Sequence, residues 1–510
     1  MPDYMYLLES RLSPEQRAVL LRVQELARAQ ESNVYLTGGA VRDAISGMPL
    51  RDLDFTIEGN PVRMVRELEK GGARVTLEDE RLRYNELIFA GEVDGSISAA
   101  RDEFYARPGA KPEIRWSSVM EDLRRRDFSI NAVAISLNPA SRGLLLDPNN
   151  GLADLERREV RVLSIHAFTN QPIRLLRALR FCARMGFKME MRTQEWFDLA
   201  IERGLHETIE KRAAGKEVMD VGREDLASAI LKLWESHKLL DVVHPKLQRR
   251  GPDYDGLARL TKAKDGFVAA GIRGRYKIPT VFYIFRKLGP RMSAALKTLE
   301  IPTAEAAKVI HLPNEAKKLL SLLRGSKTKT ARQAYDLIST TPTDLLVFMS
   351  TQFRNPKAAG KIRNYLQKWR PLRLSLPVAE LESLGVARGP KFEKILEQLF
   401  DLQLRGRGKT PPEVTKLLRQ LAGIKDEPKP KEEKKKKRGK GPEAARPNRA
   451  TKADSSAGKE PAKVSNAAEP GAAKTVAHDS KGAAPKRPRA QTPRQRAGKL
   501  AASRKKSARR

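Results

Sequence analysis

The chain has 510 residues, with 98 Lys and Arg against 62 Asp and Glu, a formal net charge of +36 and an isoelectric point near 10.2. Such a surplus makes a polyanion the expected partner, nucleic acid ahead of an anionic membrane surface, because phosphates attract it over long range and release counterions on contact. One cysteine, Cys182, excludes an internal disulfide and a multi-cysteine zinc site, and there is no uninterrupted apolar run of the roughly 18 residues that a spanning helix needs.

The opening MPDYMYLLESRLSPEQ is acidic and lacks an apolar core. It is not expected to be a secretory signal, and the chain is read as cytoplasmic with no membrane partner. An N-terminal helix is expected within 1–30, started by Ser13-Pro14-x-Gln16 as a capping sequence. NVYLTGG then reads as a strand ending in two glycines, AVRDAISG as a short helix closed by Gly47, and RDLDFTIEG as a half-buried strand. ARVTLE, NELIFAGEV, GSISAAR, NAVAISL and EVRVLS are further strand candidates, so residues 31–165 form a mixed α/β head. From about Gln171 the apolar residues recur at helical spacing, which predicts a helical neck over 166–235 and a helical body over 236–425. Residues 426–510 hold 26 Lys and Arg, 9 Asp and Glu and no aromatic residue, and they are expected to be a disordered basic tail that raises RNA affinity without sequence choice or merely solubilises.

Within RDLDFTI, side chains two apart share a strand face, so Asp52, Asp54 and Thr56 point one way and Leu53, Phe55 and Ile57 the other. Two adjacent carboxylates repel unless a cation lies between them, and hard oxygens at this spacing suit Mg²⁺. Two surface aspartates on an edge strand would be the structural alternative. Upstream, Gly38 and Gly39 end a strand and begin a helix, an arrangement that turns backbone N–H groups toward an anion such as a triphosphate. Arg42 would add a charged fork to the same phosphates, and Asp43 would orient a neighbour.

G-G-x-V-R-D followed by D-x-D, then ARDEFYARPG at 100–109, EDLRRRDFSINAVAI at 121–135, LLDPNNGLADLERREVRVL at 145–163 and PIRLLRALRFCARMGF at 172–187, resembles the class II tRNA nucleotidyltransferase and bacterial poly(A) polymerase superfamily. The resemblance covers residues 33–187. It implies an α/β nucleotidyltransferase head of the polymerase-β type, followed by an all-α C-terminal region. It implies Asp52 and Asp54 as ligands of catalytic Mg²⁺, and Gly38, Gly39 and Arg42 on the phosphates of the incoming nucleotide. It implies Arg126, with Asp127 beside it, at the ribose, and Arg174, Arg177 and Arg180 on the base and phosphates. The implied reaction adds CCA, or part of it, to tRNA 3′ ends from CTP and ATP. Metal ions lower the pKa of the RNA 3′-hydroxyl and neutralise departing pyrophosphate.

Two positions depart from the family pattern. Asn170-Gln171 stands where the family has an acidic pair, and Gln171 keeps an acceptor for an exocyclic amine while adding a donor, which predicts weaker discrimination against U or G. Ser96 stands where the family tends to carry a carboxylate; Asp94, two residues earlier on the same strand face, would substitute in a shifted register, or the two metal ligands suffice, with an impaired enzyme as the alternative. The segment LEDERLRYNELIFAGEVDGSISAARDEFYARPG resembles the tRNA enzymes more than the poly(A) polymerases, whereas the basic tail leans the other way. A non-catalytic RNA-binding protein on the same scaffold is the alternative from another class. The His-Asp pair used by appended phosphohydrolase domains occurs only at His478 in the tail, so phosphatase activity is not expected.

Overall fold

The computed structural model describes residues 3–107, 112–272, 274 and 276–424. The basic tail from 426, with His478, lies outside the described residues, as do Pro108 and Gly109 at the end of the ARDEFYARPG motif. Two helices, Tyr4–Glu9 and Pro14–Ala29, open the chain, the second started by a reciprocal capping box between Ser13 and Gln16. Their apolar faces, Leu8, Leu20 and Val23 among them, enter the core of the head.

The head is a mixed seven-stranded sheet. Its strands are β1 (Val34–Thr37), β2 (Asp52–Ile57), β3 (Arg74–Asp79), β4 (Tyr84–Phe89) and β5 (Val93–Ala99), then, after a separate hairpin of β6 (Arg101–Phe104) and β7 (Glu113–Trp116), β8 (Ala134–Ser136) and β9 (Leu145–Leu146). The spatial order is β3-β4-β5-β2-β1-β8-β9, so β2 lies in the interior of the sheet. It runs antiparallel to β1 and parallel to β5, in a register that sets Asp94 beside Asp52 and Ser96 beside Asp54. Leu53, Phe55 and Ile57 fill the core on the opposite face, and burying Phe55 alone stabilises the fold by about 1.5–3 kcal/mol. The close β2–β5 approach requires glycine at 95, where a Cβ would lie 2.1 Å from the Leu53 carbonyl oxygen.

The β6–β7 hairpin is absent from the sequence reading, because the mostly polar RDEF offers no clean apolar alternation. EVRVLS contributes only the two-residue strand Glu159–Val160, paired in parallel with Lys188–Met189. Beyond it the described chain is almost wholly helical. One apolar core runs from Phe128 through the helices Arg174–Met185, Lys211–Val221 and Ala227–Ser236 and on to Trp369. A smaller cluster joins Val378–Ser383, Pro390–Leu404 and Pro411–Ala422. No described helix is long and apolar enough to cross a membrane.

Candidate active site

The alternation of β2 delivers both acids to one face. Because β2 is flanked by β1 and β5, the edge-strand alternative does not hold. Asp54 accepts a hydrogen bond from Ser96 Oγ at 2.6 Å, so the position that departs from the family contacts the second acid directly. Asp52, with 40% of its side chain exposed, faces Arg223 at 3.7 Å. Burial and the neighbouring Asp54 push the Asp52 carboxyl up to about 6, against the pull of Arg223. Burial also raises Asp54, opposed by the Ser96 hydroxyl and by Arg126 and Lys216. Two carboxylates that resist ionising together are a set that a divalent cation would relieve. Among the described residues no three acidic, imidazole or thiol groups converge on one point. Asp52 and Asp54 would therefore hold Mg²⁺ by two oxygens and leave its other positions to water and phosphate, which suits that ion.

Beside the acids the chain turns at Gly38, whose φ of +70° a side chain would strain and whose missing Cβ leaves 3.2 Å to Arg126 Nη1. The Gly38 N–H is spent on the Val133 carbonyl, and Gly39 opens the helix Gly39–Ile45. Arg126 ties the region together. Its Nη2 donates to Thr37 Oγ1 on β1, Thr56 Oγ1 on β2 and the buried Asp122 carboxylate, at 3.1, 3.0 and 2.9 Å. It also lines a cavity of about 280 Å³ together with Glu103, Tyr105, Asn170 and Arg174. The acid strand and the cavity thus meet across one guanidinium.

Asp127 is fixed by the Phe128 N–H at 2.8 Å and Asn131 Nδ2 at 3.2 Å, and it faces Arg177 at 3.6 Å. Burial would raise its pKa, yet Arg177 and Arg174 hold it below the usual carboxylate range. Arg174 donates to Gln171 Oε1 at 3.1 Å and to the Arg125 carbonyl at 3.1 Å.

Arg42 and Arg180, both expected at the nucleotide, are buried and paired with neighbouring side chains. Arg42 is 2% exposed, donates from Nε to Asp43 Oδ1 at 2.8 Å and from Nη1 to Asn131 Oδ1, and lies over the Phe181 ring at 5.2 Å. Asp43 in turn accepts from Arg184 at 2.6 Å. Arg180 donates to Glu217 at 2.6 Å and to Glu224 at 3.3 Å. Buried carboxylates that reward these guanidiniums explain the placement, since an unpaired buried charge would cost several kcal/mol. The row 174, 177, 180 does follow one side of a helix, but only Arg174 and Arg177 reach Gln171 and Asp127.

Several residues near the site escape the sequence reading. Arg223 and Lys216 lie across from the acids, Arg223 on Asp52 and Lys216 on Glu86 of β4 and over the Tyr84 ring. Glu103 and Asp122 hold Arg125 and Arg126. For Asp122 a signal existed, since EDLRRR places it three and four residues before those arginines, the spacing of helical neighbours. For Arg223 there was none, because it meets Asp52 from 171 positions away.

Residues 34–161 match the family model of the poly A polymerase head domain. Over 376 residues, 72% of this chain, the sequence is 30% identical to the A-adding tRNA nucleotidyltransferase of Aquifex aeolicus (strain VF5), spanning 44% of that protein. Over 405 residues, 78% of this chain, it is 28% identical to the A-adding tRNA nucleotidyltransferase of Halalkalibacterium halodurans, spanning 91% of it. A crystal structure of a tRNA nucleotidyltransferase complexed with a primer tRNA and an incoming ATP analog is 27% identical and covers 69% of this chain and 99% of that one, with a TM-score of 0.43.

Proposed function

From a chain whose residues 34–161 belong to the poly A polymerase head-domain family, we propose a template-independent RNA nucleotidyltransferase that adds CCA, or part of it, to tRNA 3′ ends. The substrates are CTP and ATP and the by-product is pyrophosphate. The observation that carries this reading is the pair Asp52 and Asp54 on an interior strand, joined through Thr56 and Arg126 to a cavity of nucleoside size.

In this reading Asp52 and Asp54 would hold Mg²⁺, which would supply positive charge beside a 3′-hydroxyl and a departing pyrophosphate. The chain's own residues position the reactants. The side-chain-free turn at Gly38 and Gly39 admits phosphates close to the backbone. Arg126 and Asp127 would orient the ribose, and Gln171 with Arg174 would meet the base. Residues 31–165 would carry the chemistry, with the neck over 166–235 completing the pocket and the body over 236–425 gripping RNA.

Both relatives described above are named A-adding, which supports, as a second reading, addition of the terminal A alone to RNA already ending in CC. Incubation with tRNA ending before, within or after the CCA, with Mg²⁺ and one labelled nucleotide at a time, separates the readings. C and A incorporation limited to CCA supports the first, A on CC ends alone the second, and long A tracts a poly(A) polymerase. No incorporation overturns the proposal in favour of a non-catalytic RNA-binding role.

A further inference from the structure

We propose that Glu103 is the positioning residue for base choice, acting by fixing which end of the Gln171 carboxamide is offered beside Arg174. This rests on the nucleotidyltransferase reading above. A carboxamide at 171 is ambiguous on its own, since a half-turn exchanges its acceptor for its donor. The surroundings remove the ambiguity. Gln171 Nε2 donates to Glu103 Oε2 at 3.3 Å and to the Tyr105 hydroxyl, while Oε1 accepts from Arg174 Nε at 3.1 Å. The Tyr105 hydroxyl spends its own proton on Glu103 Oε2 at 2.7 Å, so it can only accept from Gln171.

Glu103 is itself held as a carboxylate. Its side chain is 7% exposed, and its other oxygen receives Arg101 Nε at 3.1 Å and Arg125 Nη1 at 3.0 Å. Burial would raise its pKa, but these two guanidiniums keep it below the usual range. An ionised carboxylate only accepts, so turning the Gln171 amide over would set oxygen against oxygen at Glu103 and nitrogen against nitrogen at Arg174. The rotamer that survives presents an acceptor with one lone pair still open. Beside it stands Arg174, whose Nη1 has no hydrogen-bond partner among the described residues and which lines the cavity with Tyr105 and Glu103.

An acceptor next to a fixed donor matches the exocyclic amine and ring nitrogen of cytosine and adenine. Guanine and uracil offer a carbonyl and a ring N–H in those places and would meet the wrong partner at both. Gln171 held this way serves as the carboxylate it replaces, and the looser base choice expected from its sequence is offset by Glu103.

Equilibrium binding of CTP, ATP, GTP and UTP in Mg²⁺ buffer without RNA tests the inference independently of turnover. The native chain is expected to favour CTP and ATP over UTP and GTP by about tenfold or more, the scale of a misplaced hydrogen-bond pair. Glu103→Gln, which tolerates either amide orientation, narrows the ratio to about threefold or less, and Gln171→Asp on that background restores it, because a carboxylate needs no orienting. Should Glu103→Gln unfold through loss of Arg101 and Arg125, Tyr105→Phe removes an amide partner without touching those ion pairs and narrows the ratio in part. Nucleotide binding with no base preference in the native chain, or a full preference surviving in both folded variants, overturns the inference while leaving the proposed activity standing. Failure of all four nucleotides to bind overturns both.

Discussion

Asp52 combines two demands that pull against each other, a place on a packed sheet and an ionised side chain near a second acid. Its carboxyl is raised from an ordinary value of 3.8 to about 6 by burial and by Asp54. A raised acid contributes stability that is complete below its unfolded value and is lost as pH climbs through the folded one. Without a bound cation the native protein therefore loses stability from Asp52 between about pH 4 and pH 7, and Asp52→Asn, always neutral, should gain melting temperature relative to it across that window. Because Asp52 is partly exposed, solvent screening keeps the effect small. Thermal scans with and without Mg²⁺ check this: the cation should stabilise the native chain more near neutrality than near pH 5, and a difference that stays flat with pH would contradict it. Arg223 is the second residue to probe. Facing Asp52 from the neck, it is expected to attract the nucleotide's phosphates once a cation occupies the acids, so Arg223→Ala should weaken ATP binding by about tenfold, the worth of one charge-assisted contact. Titration of ATP in Mg²⁺ buffer decides, and an unchanged affinity would remove Arg223 from the site.

The element that matters most is β2 with its parallel neighbour β5. Their register sets Ser96 against Asp54 and Asp94 against Asp52, and Gly95 between them permits the approach. Gly95→Ala should cost at least about 3 kcal/mol, the upper range for overpacking, because its Cβ would meet backbone rather than a movable side chain. Denaturant midpoints measure this, and a loss below about 1 kcal/mol would mean that the strands separate readily. Much of β2 was legible in the sequence, since a period of two dictates which residues share a face and D-x-D obeys it. The choice between Ser96 and Asp94 was not, because it depends on pairing with a strand some forty residues away. The same distance effect hid the fate of Arg42 and Arg180. Their spacing on helices was readable, but Asn131, which Arg42 meets, and Glu217 and Glu224, which Arg180 meets, come from elsewhere in the chain, and only the fold shows these pairings. The β6–β7 hairpin was hidden for a different reason, as a short polar strand carries no apolar signal.

At the scale of the molecule, the head and the helical neck are stitched together by charge. Arg51 meets Glu224 at 2.8 Å, Arg184 meets Asp43 at 2.6 Å, and Arg223 faces Asp52. The charge surplus is expected to act on RNA without choosing a sequence. Residues 426–510 carry net +17 of the total +36, so a chain ending at 425 should bind tRNA more weakly and with a shallower salt dependence, while turnover at saturating tRNA is unchanged. Binding isotherms at several salt concentrations test this, and equal slopes for the two chains would assign the tail no part in RNA contact. The proposed activity stands on the two acids of β2. Its most direct test is the single-turnover rate of nucleotide addition to tRNA lacking its 3′ CCA, at saturating Mg²⁺, by the native chain and by the Asp52→Ala, Asp54→Ala double variant. A fall on the order of a thousandfold or more, with tRNA affinity kept, is the predicted result; a double variant that extends the RNA at the native rate would contradict it.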